Sequence, residues 1–274
     1  MPELPEVETV ARGLRDTLVG RTFKSVGVRW ARTVAAPALE AFAARLTGRR
    51  VVDVGRRGKW LFIALDDGEY LLVHLRMSGR LQVEAAGAAE DPHLRVLFRL
   101  DDGRQLRFSD QRKFGRMVLV ADPAQVVGDL GPEPLEPDFT PEWLAEALGR
   151  RRGRLKPLLL DQRFVAGLGN IYTDEALWRA RLHPLRLAHT LDEDEARRLH
   201  QAIRGVLEEA IANQGTTLED AGYVGVNGMP GEFAARLAVY GRVGEPCPRC
   251  GVPVEKMTVG QRGTSFCPRC QPRA

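Results

Sequence analysis

The sequence lacks several features that would place the chain in other classes of protein. No apolar run reaches about 18 residues, so no segment is suited to crossing a membrane. Acids and prolines open the chain where a secretory signal would have a basic and then an apolar region. Internal repeats and low-complexity tracts are absent too, and no cysteine precedes Cys247. We therefore expect a cytoplasmic, non-repetitive protein with no membrane partner.

Charge is unevenly distributed along the chain. Its 274 residues are enough for two domains, and 44% of them are hydrophobic, as in ordinary globular proteins. The net charge is only +4, but basic residues concentrate in segments 104–116, 150–156 and 236–274, whereas acids pool between 129 and 146. These segments could form one face that follows phosphates. Three unrelated solvated surfaces would give the same pattern, so charge alone leaves nucleic-acid binding open.

The spacing of apolar residues predicts a mixed α+β architecture. Residues 4–19 carry Val7, Val10, Leu14 and Leu18 on one helical face. From about residue 22 to 121 the pattern alternates as in strands, and Asp-Gly pairs between apolar runs indicate hairpins. A helix near 37–47 is expected to interrupt them. The first part of the chain is therefore predicted to be an antiparallel β-sandwich with flanking helices.

The remainder of the chain is predicted to be helical up to a small cysteine module. We place an N-terminal domain at 1–128, a proline-rich linker at 129–139, a helical domain at 140–236 and the module at 237–274. Thr140 and Pro141 are typical of a helix start. A second capping pattern precedes a long helix that is expected to run from Asp192 to about Asn213.

The four cysteines have the spacing of a zinc site. They follow the pattern Cys247-x2-Cys250-x16-Cys267-x2-Cys270, and two such pairs can place four thiolates around one zinc ion. Four protein ligands leave no position for water, so the ion should be structural. A redox pair or an iron–sulfur cluster is the alternative. The segment between the pairs carries Arg262, which suits contact with a DNA groove or phosphate.

Two further motifs are weaker when taken alone. Gly167-Leu168-Gly169-Asn170 precedes a predicted helix, whose N-terminus can bind an anion, although a helix cap is the simpler interpretation. At the start of the chain, Glu3 and Glu6 flank what becomes a terminal secondary amine at Pro2 once Met1 is removed. An α-amine titrates near neutrality and can act as a nucleophile. An acidic helix N-terminus explains the same residues.

Six motifs together resemble one family. PELPEVE at the start, RRGKWL at 56–61, HLRMSG at 74–79, QRKFGR at 111–116, GLGNIYTDEAL at 167–177 and the cysteine module occur in the order found in bacterial formamidopyrimidine-DNA glycosylases, also called 8-oxoguanine DNA glycosylases. The resemblance covers essentially the whole chain. It implies an N-terminal β-sandwich, a helix–two-turn–helix DNA-binding domain and a C-terminal zinc finger. It also implies DNA repair by a bifunctional glycosylase and abasic-site lyase, monomeric and associated with the nucleoid when bound to DNA.

The resemblance implies roles for individual residues around the reaction. Pro2 would attack C1′ of an oxidised purine nucleoside as the catalytic nucleophile, Glu3 would act as general acid and base, and Glu6 would support the site. Lys59, in a strand, would serve the flipped nucleotide. Arg262 would bind the DNA backbone at the lesion and is therefore counted among the catalytic residues. β-Elimination and then δ-elimination would leave a one-nucleotide gap.

The remaining matched residues would bind damaged double-stranded DNA. Met77, Arg112 and Phe114 would fill the space left by the extruded base, and the polarity around Phe114 makes it an unlikely core residue. Backbone contacts would come from Lys156 and Asn170, with further ones from His74 and Tyr240. The cofactor would be one structural Zn²⁺ held by the four cysteines. A loop at 215–231 would close over the flipped purine.

Two rival functions remain at this point. Endonuclease VIII is a relative that prefers oxidised pyrimidines, but it usually starts differently and lacks the full set of inserted residues. A catalytically silent zinc protein that only recognises lesions is the rival from another class, and the presence of Pro2, Glu3 and Lys59 argues against it.

The backbone contacts generate a salt-dependence prediction. Affinity for undamaged duplex should fall about a thousandfold between about 50 and 200 mM salt, because roughly six phosphate contacts displace counterions. Lys156, Asn170 and Arg262 should each contribute affinity without sequence preference. Fluorescence anisotropy titrations at several salt concentrations measure the slope, and a flat dependence would contradict the predicted footprint.

Overall fold

The computed structural model describes residues 1–89, 91–218 and 222–273. The chain forms two compact units. Unit 1 comprises Met1–Asp129 and Asn213–Glu232, and unit 2 comprises Leu130–Ala212 and Phe233–Ala274. Within the described ranges, no helix is long and apolar enough to cross a membrane.

Unit 1 contains the first helix and two sheets. The helices are α1 (Leu4–Leu18), α2 (Leu39–Leu46) and the short α3 (Ala124–Val127), with a 3-10 turn at Ala31–Thr33. The strands are β1 (Phe23–Val28), β2 (Val34–Ala36), β3 (Val51–Arg57), β4 (Trp60–Leu65), β5 (Tyr70–His74), β6 (Gly79–Glu84), β7 (Leu94–Leu100), β8 (Gln105–Asp110) and β9 (Arg116–Val120). One sheet has the order β1-β7-β8-β6, and the other has the order β2-β9-β5-β4-β3.

A single hydrophobic core joins the two sheets and α1. It contains Leu14 of α1, Ile63 of one sheet and Phe98 of the other, all fully buried. The fold class predicted from the sequence is confirmed, and so are α1 and the β4–β5 and β7–β8 hairpins. One detail differs: β2 pairs with β9 in parallel, so this sheet is not wholly antiparallel.

Unit 2 is helical and ends in a two-stranded hairpin. Its helices are α4 (Pro141–Gly149), α5 (Leu155–Leu160), α6 (Asn170–Ala180) and α7 (Glu193–Ala212), with 3-10 turns at Ala188–Thr190 and Phe233–Arg236. β10 (Glu255–Val259) pairs with β11 (Arg262–Phe266). Both predicted caps are present: the hydroxyl of Thr140 accepts from Trp143 N at 3.1 Å, and the carboxylate of Asp192 accepts from Glu195 N at 2.7 Å.

The proline-rich segment 129–139 is not a free linker. Gly131 N donates to the carbonyl of Gln162 at 2.9 Å, and Arg204 donates to the carbonyl of Pro134 at the same distance. Phe139 is buried and its ring stacks on His200 with 5.0 Å between centroids. Prolines restrict the backbone without preventing it from packing, so most of this segment belongs to unit 2. The domain limits predicted from the sequence placed residues 213–232 in the helical domain, whereas in the structure this segment belongs to unit 1.

Candidate functional site

The carboxylate of Glu6 connects the start of the chain to the 213–232 segment of unit 1. Glu3 N donates to one oxygen of Glu6 at 2.7 Å, and Thr216 N donates to the other oxygen at 2.7 Å. Glu6 is only 1% exposed. A carboxylate that is removed from water and accepts two N–H bonds is fixed in position. The structure therefore places Glu6 as the group that holds the first residues of α1.

Two residues to which the sequence assigned no role in holding Glu6 complete this connection. Gly215 has φ +80°, and a Cβ there would lie 2.7 Å from the Glu6 carboxylate, so only glycine fits. The hydroxyl of Tyr223 donates to the carbonyl of Gln214 at 3.1 Å, and burial together with the nearby Glu6 carboxylate raises the pKa of Tyr223. In the predicted loop 215–231, residues 219–221 lie outside the described part of the chain.

The N-terminal end of α1 approaches the turn that carries Lys59. Arg15 of α1 pairs with Asp53 of β3 at 3.1 Å. Nearer the N-terminus of the same helix, Glu8 pairs with Arg56 of β3 at 2.7 Å. Beyond this pair, α1 continues toward its N-terminus to Glu3 and Pro2, whereas β3 continues toward its C-terminal end and the turn at residues 58–59. Pro2 and Glu3 are buried. The antiparallel alignment of α1 with β3 therefore indicates that the candidate nucleophile and the candidate acid lie toward the Lys59 end of the sheet.

Lys59 lies in the turn between β3 and β4, so its predicted place in a strand was wrong. It is 6% exposed, which also excludes a solvated surface lysine. Gly58, with φ +56°, turns the chain before it. The register pairs Trp60 with His74, so Lys59 lies beside the end of β5.

His74 is a neutral hydrogen-bond donor in this corner. Its Nδ1 accepts from Arg76 N at 3.0 Å, so the ring proton lies on Nε2. Burial, together with the positive charges of Arg76 and Lys59, lowers the pKa of His74 to about 3. An imidazole that stays neutral can donate to a phosphate oxygen without the desolvation penalty of a charge.

Asp110 organises the two loops that carry the predicted inserted residues. It is 1% exposed. One of its oxygens accepts from the hydroxyl of Ser78 at 2.5 Å and from Arg112 N at 3.2 Å, while the other accepts from Gly115 N at 2.7 Å. Because Gly79 pairs with Asp110 across β6 and β8, the two loops lie side by side. The sequence showed Asp110 only as an isolated acid among basic residues.

The three predicted inserted residues lie on those loops and outside the core. Phe114 is 49% exposed, which confirms that it is not a core residue. The guanidinium of Arg112 lies 5.1 Å from the centroid of the Phe114 ring, and Met77 is partly exposed. An exposed phenylalanine whose ring packs against an arginine is suited to entering a base stack.

In unit 2, the β10–β11 hairpin is tied to the start of α6. The carbonyl of Gly263 accepts from Asn170 Nδ2 at 2.9 Å and from Lys156 Nζ at 3.1 Å. Asp174 accepts from Lys156 Nζ at 2.5 Å and from Ser265 N at 2.9 Å. Arg262 is exposed at the end of a turn in which Gly260 and Gln261 both have positive φ. These contacts fix the hairpin that presents Arg262.

Lys156 is therefore in a different environment from the one its predicted role requires. Its side chain and that of Asp174 are both 0% exposed, so a phosphate could reach the ammonium only by displacing these partners. Burial raises the pKa of Asp174 to about 7, while the Lys156 ammonium and the Ser265 N–H oppose the shift. A run of basic residues in the sequence predicts positive charge, but it does not show whether a given lysine is exposed or buried.

Glu175, the neighbour of Asp174, holds the segment with Tyr240. One oxygen of Glu175 accepts from Val239 N and Tyr240 N at 2.9 Å each, and Ala238 N donates to the same carboxylate. Burial raises the pKa of Glu175, and these three N–H donors oppose the rise. Tyr240 itself is partly exposed.

The four cysteines are placed to bind one metal ion. Their sulfur atoms all lie within 4.8 Å of one another, with Cys247 and Cys270 at 3.9 Å and Cys250 and Cys267 at 3.4 Å. Tetrahedral zinc with thiolate ligands has sulfur atoms about 3.8 Å apart, so the cluster fits zinc. The indole N–H of Trp178 donates to the Cys247 sulfur at 3.4 Å, which favours the thiolate form of that cysteine.

Comparison with known proteins gives full-length matches. The formamidopyrimidine-DNA glycosylase N-terminal domain matches residues 1–117, the H2TH domain of these enzymes matches 130–221, and a zinc finger found in FPG and IleRS matches 244–273. A formamidopyrimidine-DNA glycosylase of Chloroflexus aggregans is 51% identical, with 99% of this chain and 98% of the relative covered. This chain belongs to the formamidopyrimidine-DNA glycosylase family. A family member from Herpetosiphon aurantiacus is 48% identical over 99% of this chain and 100% of its own.

Solved structures of the family superpose closely on this member. The MutM (Fpg) protein of Thermus thermophilus is 46% identical, with a TM-score of 0.90 and full coverage of both chains. A Lactococcus lactis Fpg variant bound to DNA that contains Fapy-dG is 36% identical, with a TM-score of 0.93 and coverage of 99% of this chain and 100% of that one. The cysteine cluster is thus the zinc site of this family's zinc finger, and the ion is structural.

The buried pair of this glycosylase family member gives a prediction on stability. Lys156→Met or Asp174→Leu alone should lower the free energy of unfolding by about 3–5 kcal/mol, because each leaves an unpaired polar group buried. The double variant should recover part of that loss, because no unpaired charge remains, although Gly263 O and Ser265 N lose a partner each. Urea unfolding measures all three variants, and a double variant as unstable as the worse single one would contradict the assignment.

The sign of the pH dependence follows from the same pair. In Lys156→Met, loss of the ammonium raises the pKa of the buried Asp174 carboxyl further above its unfolded value of about 4. The folded state then binds an extra proton, so this contribution to stability is present at low pH and is lost as pH rises through the folded pKa. The double variant has no such carboxyl and serves as the matched control.

Proposed function

We propose that this chain excises oxidised purines, such as 8-oxoguanine and formamidopyrimidines, from duplex DNA and then cuts the abasic strand. The observation that carries the proposal is that the Glu8–Arg56 pair aligns the start of α1 with the end of β3, next to the Lys59 turn and the His74 end of β5 in unit 1. Relatives of the same full length bear the glycosylase name, and Lactococcus lactis Fpg has been solved with Fapy-dG DNA and with abasic-site DNA. The test is strand nicking of a duplex with a single 8-oxoguanine.

The reaction begins at the amine of Pro2 once Met1 has been removed. The nitrogen lone pair attacks C1′, the bond from C1′ to the base breaks, and the base leaves with a proton from Glu3. The attacking nitrogen loses its proton, the C1′–O4′ bond breaks and O4′ takes up a proton, so that the ring-opened sugar is held as an iminium ion that draws electrons from the neighbouring carbons. Loss of a C2′ proton expels the 3′ phosphate, and a second elimination expels the 5′ phosphate.

The surrounding side chains of unit 1 support these steps. Glu6 has both oxygens engaged by backbone N–H groups, so its role is to hold Pro2 and Glu3 rather than to transfer protons. Lys59 and the neutral ring of His74 bind phosphates of the flipped nucleotide. Phe114 and Met77 occupy the vacated stack, and Arg112 hydrogen-bonds the unpaired base.

In unit 2, Asn170, Arg262 and Tyr240 contact the DNA backbone, and Lys156 acts by holding the hairpin that presents Arg262. The zinc ion cross-links that hairpin to the rest of its module. We place the protein in the cytoplasm as a monomer, on the nucleoid when it is bound to DNA. We retain the domain limits 1–128, 140–236 and 237–274 as functional divisions, with 129–139 between them.

The exposed phenylalanine gives a prediction that separates base extrusion from chemistry. Phe114→Ala should slow excision of 8-oxoguanine from paired duplex more than it slows cutting at a preformed abasic site, because the abasic site has no base to extrude. Single-turnover rates on the two substrates measure the difference. Val52→Ala, which shortens another exposed apolar side chain, is the control and should change neither rate. Equal losses on both substrates would count against the assignment of Phe114.

The nucleophile assignment is tested by trapping the covalent intermediate. Borohydride added during turnover should reduce the iminium to a stable protein–DNA adduct, and peptide mapping should place it on Pro2. A variant with an uncleavable N-terminal extension should form no such adduct and lose both activities, yet still bind DNA, because a peptide nitrogen has no available lone pair. Normal cutting by the extended variant, or an adduct on Lys59, would show that Pro2 is not the nucleophile.

A further inference from the structure

Unit 2 contains a basic cleft that has no part in the roles described above. Its volume is about 500 Å³, and it is lined by Arg154, His183, Leu185, Arg186, Leu187, Thr190 and Arg273. Three of these seven residues are arginines and none is acidic. Arg154 belongs to the basic segment 150–156. Part of that segment therefore lies in this cleft and has no role in the proposed catalytic site.

Backbone pairing builds the cleft from two distant segments. Arg154 forms a bridge with Leu187, Leu155 N donates to the carbonyl of Arg186 at 2.9 Å, and Ala188 N donates to the carbonyl of Gly153 at 2.9 Å. These bonds hold Arg154 beside the 185–190 turn. The wall is therefore fixed by main-chain contacts and does not depend on the arginine side chains.

The three arginines differ in how they are engaged. The Arg186 guanidinium donates to the hydroxyl of Thr190 at 2.7 Å and to Glu195 at 3.1 Å, so it is held in place. Within the part of the chain that the structure describes, no carboxylate pairs with Arg154 or Arg273. Both of these residues are exposed. Two guanidinium groups that lack an acidic partner in one cleft attract an anion.

His183 adds a neutral donor to the wall of the cleft. It is 6% exposed, its Nδ1 accepts from Leu185 N at 3.1 Å, and its ring meets Phe266 edge-on at 5.1 Å. With Nδ1 occupied as an acceptor, Nε2 carries the proton. Burial and the neighbouring Arg273 charge lower the pKa of His183, so the ring stays neutral. Leu185 and Leu187 supply an apolar surface beside these polar groups.

We propose that this cleft binds the phosphate group of a nucleotide unit, with Arg154 and Arg273 pairing with the phosphate, His183 donating to it, and Leu187 packing against the attached sugar or base. Guanidinium groups match phosphate geometry in two-point hydrogen bonds. The volume exceeds that of a phosphate alone, which favours a ligand with an attached nucleoside. The phosphate can come from a free nucleotide or from a nucleic-acid strand.

The binding test uses thymidine 5′-phosphate as the probe and the ring signals of His183 as the readout. These NMR signals are assigned by their loss in His183→Gln. Titration of the full-length, zinc-loaded protein with the nucleotide should shift them saturably, whereas thymidine without phosphate should not. Equal shifts with thymidine would overturn the proposal, because they would show that the phosphate is not recognised.

A matched pair of variants isolates the two unpaired arginines. Arg154→Gln with Arg273→Gln should weaken nucleotide binding by roughly tenfold per arginine, which corresponds to the loss of a charged hydrogen bond. Arg197→Gln with Arg198→Gln removes the same charge from the exposed face of α7 and should bind as the parent does. Circular dichroism checks that both variants are folded. Undiminished binding in the first variant, with its fold intact, would overturn the proposal.

A competition arm identifies the source of the phosphate. An undamaged 15-base-pair duplex, in place of the nucleotide, should shift the same His183 signals and displace thymidine 5′-phosphate if the cleft accepts a strand. If the nucleotide stays bound while the duplex binds elsewhere, the cleft accepts free nucleotides. Both outcomes support a phosphate site, and the absence of any shift with either probe would refute it.

Discussion

The two hydrogen bonds to the carboxylate of Glu6 are the contacts on which the position of the first residues of α1 depends. A nucleophile at a chain terminus has a peptide bond on one side only, so the chain itself does little to hold it. Glu6 supplies the missing restraint by joining the first turn of α1 to a segment 210 residues away in sequence. Because Glu6 is buried, the loss of either N–H donor would leave an unsatisfied charge. The glycine at position 215 follows from the same constraint.

The same physical device recurs in unit 2. Asp174 and Glu175 are consecutive residues of α6, and both are buried carboxylates that accept backbone N–H groups from the C-terminal module. Desolvation raises the pKa of each, and the accepted hydrogen bonds and the Lys156 ammonium oppose that shift. The zinc ion closes the module within itself, whereas these carboxylates attach it to the helices. Residues that are proposed to contact DNA can thus lie on turns and still occupy fixed positions.

The residues of unit 1 that are proposed to insert into the base stack are held in a similar way. Phe114 and Arg112 lie on an exposed loop, yet the buried Asp110 accepts hydrogen bonds from both ends of that loop. An apolar side chain that must enter a base stack cannot be buried in advance, so rigidity has to come from the backbone beneath it. In each of these places, a segment that carries proposed functional residues is held by a buried carboxylate.

Much of this architecture was determined by local sequence. Apolar spacing predicted α1 and the hairpins, capping residues predicted the starts of α4 and α7, and cysteine spacing predicted the zinc site, because each depends on neighbours a few residues apart. Pro2, Glu3 and the cysteines could be named as candidates for the same reason, with the family resemblance assigning their roles.

Only the tertiary structure decided the burial of Lys156, the turn position of Lys59, and the supporting roles of Asp110, Thr216 and Tyr223. It also decided that segment 129–139 packs on unit 2 and that Arg154 and Arg273 share a cleft. In each case the partner is remote in the chain, and the protonation, exposure or restraint of a side chain depends on what surrounds it in space. A sequence pattern records which groups are present, but desolvation and hydrogen bonding act only after distant segments have come together.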